Sequence, residues 1–168
     1  APSVVTIHDL SFLVLPEAFN RGNRSYLTAF TRLSVARARV VIADSEHTRQ
    51  DVIRLLGVST DRVITVPLGI EPAFRPVEDR AVLEKFRRRR GLPDEFIFNL
   101  GTLEPRKNVA TLLRAYAQAR REGLQHPLVV AGGKGWQYER IFQLVEELGL
   151  GDSVTFSGFL PLEELPLW

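Results

Sequence analysis

Cysteine and methionine are both missing from the 168 residues. Without cysteine there is no disulfide framework, no thiolate metal site and no cysteine nucleophile, and the composition fits a reducing compartment. Histidine is scarce as well. His8, His47 and His126 stand at wide, irregular spacing that does not read as a zinc set. No run approaches the ~18 uninterrupted apolar residues of a membrane span, and Ala1-Pro2-Ser3-Val4 has neither the basic stretch nor the apolar core of an export signal. An excess of one charge is also lacking: 22 basic residues face 20 acidic ones. That balance disfavours a polyanion partner. With 45% apolar and 25% charged residues the chain can bury an ordinary globular core. The absence of Met at position 1, and an ending at Leu165-Pro166-Leu167-Trp168 where a helix begins, set the expectation of a fragment of a longer protein.

What is present alternates. Val4 to Ile7 is a β-branched strand opening into a loop with Pro16, Asn20 and Gly22, and a helix follows from about Ser25 to Arg37. Val40 to Ala43 is the next strand; Ser45 then caps a helix that Gly57 ends, and Val63 to Val66 is a third strand. From Pro67 to Pro76 three prolines and a glycine in ten residues exclude regular structure and mark a linker. A charged helix over 80–90 leads to a strand at 96–100. Beyond it, Val109, Leu112, Leu113, Tyr116 and Ala117 form one face of a helix that Gly123 stops. Leu128 to Ala131 is a strand, 138–148 a helix, and Val154 to Ser157 a further strand. Strand–helix–strand order on both sides of the linker predicts two parallel sheets, with domains at 1–75 and 76–168.

In open parallel sheets ligands bind at the carboxyl ends of the strands, so the strand-to-helix turns carry the chemistry. Arg106 and Lys107 precede a helix N-terminus, an arrangement suited to a diphosphate or, alternatively, a solvated turn. Gly132-Gly133-Lys134-Gly135 allows close approach of a ligand or of another backbone; it is neither a Walker loop nor a full Gly-x-Gly-x-x-Gly. His8 and Asp9 end the first strand, either as an acid–base imidazole or as a capped strand end. The run Arg87 to Arg90 complements a helix C-terminus and lacks the interleaved aromatics of a nucleic-acid surface. Asp44-Ser45-Glu46 reads as helix capping rather than a paired-carboxylate metal site.

Thr6-Ile7-His8-Asp9-Leu10-Ser11-Phe12, Ala43-Asp44-Ser45 with Thr48-Arg49-Gln50-Asp51, Val66-Pro67-Leu68-Gly69-Ile70, Gly101-Thr102-Leu103-Glu104-Pro105-Arg106-Lys107-Asn108, and Ala131-Gly132-Gly133 with Trp136 together resemble glycosyltransferase family 4, mannosyltransferase-type members above all. The resemblance covers nearly the whole chain. It implies an α/β fold of GT-B type, two Rossmann-like domains across a cleft, both incomplete here. Residues 1–75 would be the C-terminal part of the acceptor domain plus linker, and 76–168 the N-terminal part of the donor domain.

By that resemblance His8 is the catalytic-side residue facing the transferred sugar, and Gly101, Arg106 and Lys107 surround the donor diphosphate. Gly132 and Gly133 lie beneath the nucleotide, while Gly158, Phe159 and Leu160 meet its base. Two departures stand out. Thr102 occupies a place where many members carry a basic residue, and the Glu-x7-Glu pair that holds sugar and ribose is expected beyond Trp168. The implied activity is retaining transfer of a hexose, such as mannose, from a GDP- or UDP-sugar to a glycan or lipid-linked acceptor. No metal, other cofactor or nucleic acid is implied, and the fragment alone is expected to be inactive. The implied setting is cytoplasmic, with peripheral association at the inner membrane face open to the full-length protein. A sugar-nucleotide epimerase of the same architecture and a non-catalytic nucleotide-binding module are the alternatives.

Overall fold

Three short apolar runs, β1 (Val4–Ile7), β2 (Val40–Ala43) and β3 (Val63–Thr65), pair in parallel in the order β1-β2-β3. The register sets Ile7 beside Ala43 and Ala43 beside Thr65. Parallel neighbours need long crossovers, and helices α2 (Arg21–Arg37) and α3 (Glu46–Leu56) supply them. The computed structural model describes residues 3–168; the first compact unit ends at Ile70 and the second begins at Glu71, inside the proline-rich segment and earlier than the expected boundary after Arg75.

In the first unit Val41, Ala43 and Val52 are fully buried and pack with Ile7, Leu10, Phe12, Val35 and Val63. α3 begins where Ser45 Oγ accepts the Thr48 N–H at 3.0 Å and ends at Gly57, whose φ of 69° is left-handed. Two expectations need correction. α2 starts at Arg21 rather than Ser25, because Asn20, read from sequence as a loop residue, caps it by accepting the Asn23 N–H at 2.8 Å. The preceding loop also contains a helical turn, α1 (Ser11–Val14), fixed by the Asp9 carboxylate accepting the Ser11 N–H at 2.9 Å.

The second unit repeats the plan. After α4 (Arg80–Arg90), strands β4 (Ile97–Leu100), β5 (Leu128–Ala131) and β6 (Val154–Gly158) pair in parallel in the order β4-β5-β6. Helices α5 (Val109–Arg121) and α6 (Glu139–Glu147) cross between them. All four residues of β5 are buried, as expected of a central strand, and Leu113, Tyr116, Ile141 and Val145 pack against it. Tyr116 keeps its hydroxyl satisfied in this core by donating to the carbonyls of His126 (2.9 Å) and Ser153 (3.1 Å). The segment Leu162–Leu167 is a 3-10 helix whose following residue, Trp168, stacks on Phe98 at 5.5 Å.

The arginine run at the end of α4 is spent on carboxylates. Arg87 and Arg88 reach Glu84 at 2.9 and 2.6 Å, Arg87 also meets Asp94, and Arg89 and Arg90 share Glu164. Hydrogen bonds from Arg87 first and Arg88 second hold the Glu84 carboxyl at about 2, down from 4.5. A depressed carboxylate contributes its stability in full above the ordinary value and loses it as pH falls from 4.5 through about 2. A carboxyl-carbon NMR titration should therefore place Glu84 near 2, and in Arg87→Gln/Arg88→Gln the midpoint should rise toward 4.5. A midpoint near 4.5 in the unaltered chain contradicts the pairing.

Candidate functional site

The carboxyl ends of β1 and β2 bring the first candidate together. His8 and Asp44 directly follow the register pair Ile7 and Ala43, and His8 Nδ1 lies 3.1 Å from Asp44 Oδ2. The imidazole is 69% exposed and the carboxylate 15% exposed, so the ring projects from an anchored base. Behind it Thr48, buried in the first turns of α3, donates its hydroxyl to the His8 carbonyl at 3.0 Å. In the sequence Asp44 reads as part of a capping motif and of the family pattern, not as a partner of His8. Ser45 does cap, whereas Glu46 turns to Arg49 and Thr65, and Asp44 turns to His8. The signal was the register of two parallel strands, which one sequence does not display.

In the second unit the loops after β4 and β5 run on as a narrow parallel ribbon. The Gly101 N–H donates to Ala131 O (2.9 Å), the Leu103 N–H to Gly133 O (2.9 Å), and the Gly135 N–H to Leu103 O (3.1 Å). Gly132 completes the tie by donating to Gly158 O at 2.8 Å, next to a register shift between Val130 and Ala131. A Cβ on Gly132 would lie 2.0 Å from the Gly101 carbonyl oxygen, and its φ is 144°. One on Gly135 would lie 2.9 Å from Leu103 O. These two glycines therefore serve the approach of backbone to backbone. Gly133 differs, for nothing lies within 4 Å of its missing Cβ.

Gly101 and Lys107 are brought together: the Lys107 side-chain carbons lie 3.8 Å from where a Gly101 Cβ would be. Lys107 sits in a 3-10 turn, Pro105–Lys107, rather than in the helix itself. Asn108, left-handed at φ 53°, makes the corner into α5, and its Oδ1 accepts from the Thr111 hydroxyl (2.8 Å), so no side chain caps the N–H groups of α5. Lys107 is exposed; Arg106 is half-buried, with Nη2 2.9 Å from Glu104 Oε1. That carboxylate offsets the positive charge Arg106 was expected to offer. Lys134 lies with Nζ 4.8 Å from the Tyr138 ring centroid, a cation–π contact that turns it to the aromatic cluster of α6.

Gly158, at φ 73°, ends β6, Phe159 is 81% exposed, and Leu160 is buried, so Leu160 has only backbone to offer a ligand. Beside the turn, a recess of about 200 Å³ is lined by Glu104, Asn108, Gln137 and Arg140, among others. Among the described residues no group of three or more His, Asp or Glu gathers to hold a metal ion, and no helix is long and apolar enough to cross a membrane.

The glycine geometry sets two variants apart. Gly132→Ala should destabilise the chain by more than about 1 kcal/mol, because both the φ and the space are denied to alanine. Gly133→Ala should change stability by less than about 0.5 kcal/mol. Urea unfolding of the two variants measures both, and equal effects would refute the division of roles.

Comparison with known proteins adds family evidence. Residues 83–167 match the family described as glycosyl transferases group 1, and residues 1–74 match glycosyltransferase family 4. The O-antigen chain mannosyltransferase B of Escherichia coli is 30% identical over 168 residues, which are 98% of this chain and 43% of that protein. A serotype-specific mannosyltransferase, WbdA, also from Escherichia coli, is 35% identical over 133 residues, 77% of this chain and 16% of that one. The crystal structure of Anabaena HepE in complex with UDP-glucose matches with a TM-score of 0.77 at 23% identity, over 99% of this chain and 43% of that chain. The chain thus spans less than half the length of these relatives.

Proposed function

Because the chain belongs to the glycosyl transferases group 1 and has the GT-B fold, we propose that the protein to which it contributes is a retaining hexosyltransferase. The donor is a nucleotide-diphosphate sugar, GDP- or UDP-linked, and the acceptor a glycan or lipid-linked glycan. Mannose is the favoured hexose, supported by the two relatives named mannosyltransferases. A nucleotide-sugar donor is supported by the UDP-glucose bound to HepE. In this reading residues up to the proline-rich segment belong to the acceptor side, with His8 toward the transferred sugar, and the rest to the donor side.

The observation that carries the reading is the turn after β4, where Lys107 lies along Gly101 immediately before the uncapped N-terminus of α5. Fixed positive charge and free N–H groups suit the charge that develops on a departing diphosphate. The bond from the sugar's anomeric carbon to the diphosphate breaks, and the acceptor oxygen bonds to that carbon on the same face. The acceptor's proton passes to the leaving phosphate oxygen. The turn's own charge makes a divalent metal unnecessary in this scheme. Gly133 leaves room for the nucleotide, and Gly158 and Phe159 offer backbone groups to its base.

Peripheral association with the cytoplasmic membrane face belongs to the same proposal. On α2, Tyr26, Phe30 and Leu33 are exposed at helical spacing, the two rings 4.4 Å apart. Between Glu17 and Asp44 the sequence has no acidic residue and five arginines. Apolar rings flanked by arginines suit anionic headgroups. Sedimentation with phosphatidylglycerol vesicles should be lost in Tyr26→Ser/Phe30→Ser; equal binding to neutral vesicles would contradict the charge argument.

The transfer reaction is tested with radiolabelled GDP-mannose and UDP-glucose and a lipid or glycan extract. The longer gene product should transfer sugar, and residues 1–168 alone should not, since two reactants held in place depend on both walls of a site. Lys107→Ala in the longer protein should lower kcat by about 10²-fold or more with the fold intact. Free epimer without transfer would favour the epimerase, and neither product a binding module.

A further inference from the structure

The His8 imidazole meets the Asp44 carboxylate through one nitrogen, Nδ1, at 3.1 Å. The ring is otherwise largely in water, so packing does not set its orientation. We infer that Asp44 is a positioning residue for His8: its carboxylate holds the imidazole as the Nδ1–H tautomer and so presents Nε2 as an unprotonated acceptor for a substrate hydroxyl. The inference rests on the proposed placement of His8 toward the transferred sugar.

The supporting geometry is built from three elements. β1 ends in His8 and β2 in Asp44, at neighbouring places of one parallel register, so neither side chain has to reach for the other. α3 contributes Thr48, whose hydroxyl binds the His8 carbonyl and so fixes the main chain that carries the ring. Ser45 in turn donates to Thr48 Oγ1 at 2.9 Å, which orients the threonine hydroxyl's own proton outward to that carbonyl. A carboxylate can only accept, and a neutral imidazole has one N–H; placed at Nδ1, that proton leaves the lone pair at Nε2. Free imidazole side chains in water favour the opposite tautomer, so the carboxylate makes the minor form the major one. An Nε2 lone pair accepts from a sugar hydroxyl and does not donate to one, which makes the site selective for a hydroxyl that can point its proton at the ring.

Long-range ¹H–¹⁵N correlation of the 168-residue chain at about pH 8.5, where an ordinary imidazole is neutral, reads the tautomer directly. The unaltered chain should show His8 protonated at Nδ1. Asp44→Ala should revert to Nε2–H, while Asp44→Glu, which keeps a carboxylate that can only accept, should keep Nδ1–H. An Nε2–H tautomer in the unaltered chain overturns the inference even if the alanine variant does not fold, and so does an unchanged tautomer in a folded Asp44→Ala. In the longer protein Asp44→Ala should lower kcat by about 10²-fold with donor KM little changed, and Asp44→Glu should recover part of the loss. Unchanged kcat overturns the positioning role. Absence of any transfer by the unaltered longer protein would instead refute the proposed function and leave the tautomer result standing.

Discussion

Parallel pairing of short buried strands is the constraint from which the rest of this structure follows. Because neighbours run the same way, each sheet collects all its carboxyl ends at one edge, and every strand must return through a helix before the next begins. His8, Asp44, Gly101, Gly132 and Gly158 all lie just past, or at, a strand end for that reason. Chemistry at such an edge is assembled from residues far apart in sequence: His8 and Asp44 are 36 positions apart and in contact at 3.1 Å.

In the second unit the edge is drawn unusually close. The ribbon of hydrogen bonds through Gly101, Leu103, Gly133 and Gly135 prolongs the β4–β5 pairing past the end of both strands. Gly132 stands at its centre, bonded to Gly158 on one side and pressed on the Gly101 carbonyl on the other. This tie makes a firm floor for the turn that carries Lys107. It also explains why two of the loop's three glycines have no freedom to change while the third faces open space.

Most of the fold was legible in the sequence because its signals are local. β-branched runs, the Ser45 cap, the Gly57 stop and the proline-rich linker each report on a few adjacent residues. The start of α2 was misplaced because an asparagine suits a loop and a cap equally, and only the Asn23 N–H decides between them. The site was legible as a set of turns but not as a set of partners. Glu104 beside Arg106, Lys134 over Tyr138 and Asp44 beside His8 are all side-chain choices among several open to the same local sequence. The register of the strands and the packing of the helices made those choices.

The strand order carries a consequence for how the chain is made. Among the described residues spatial neighbours in each sheet are also sequence neighbours, β1-β2-β3 and then β4-β5-β6. The last strand of the first sheet ends at Thr65, ahead of every residue of the second. As synthesis proceeds from the N-terminus, the pairings among β1, β2 and β3 can form while β4 to β6 are still emerging from the ribosome. Vectorial assembly of this kind shortens the time each of these strands waits for its neighbour, a gain for parallel pairing, which is slow to form and exposed to aggregation meanwhile.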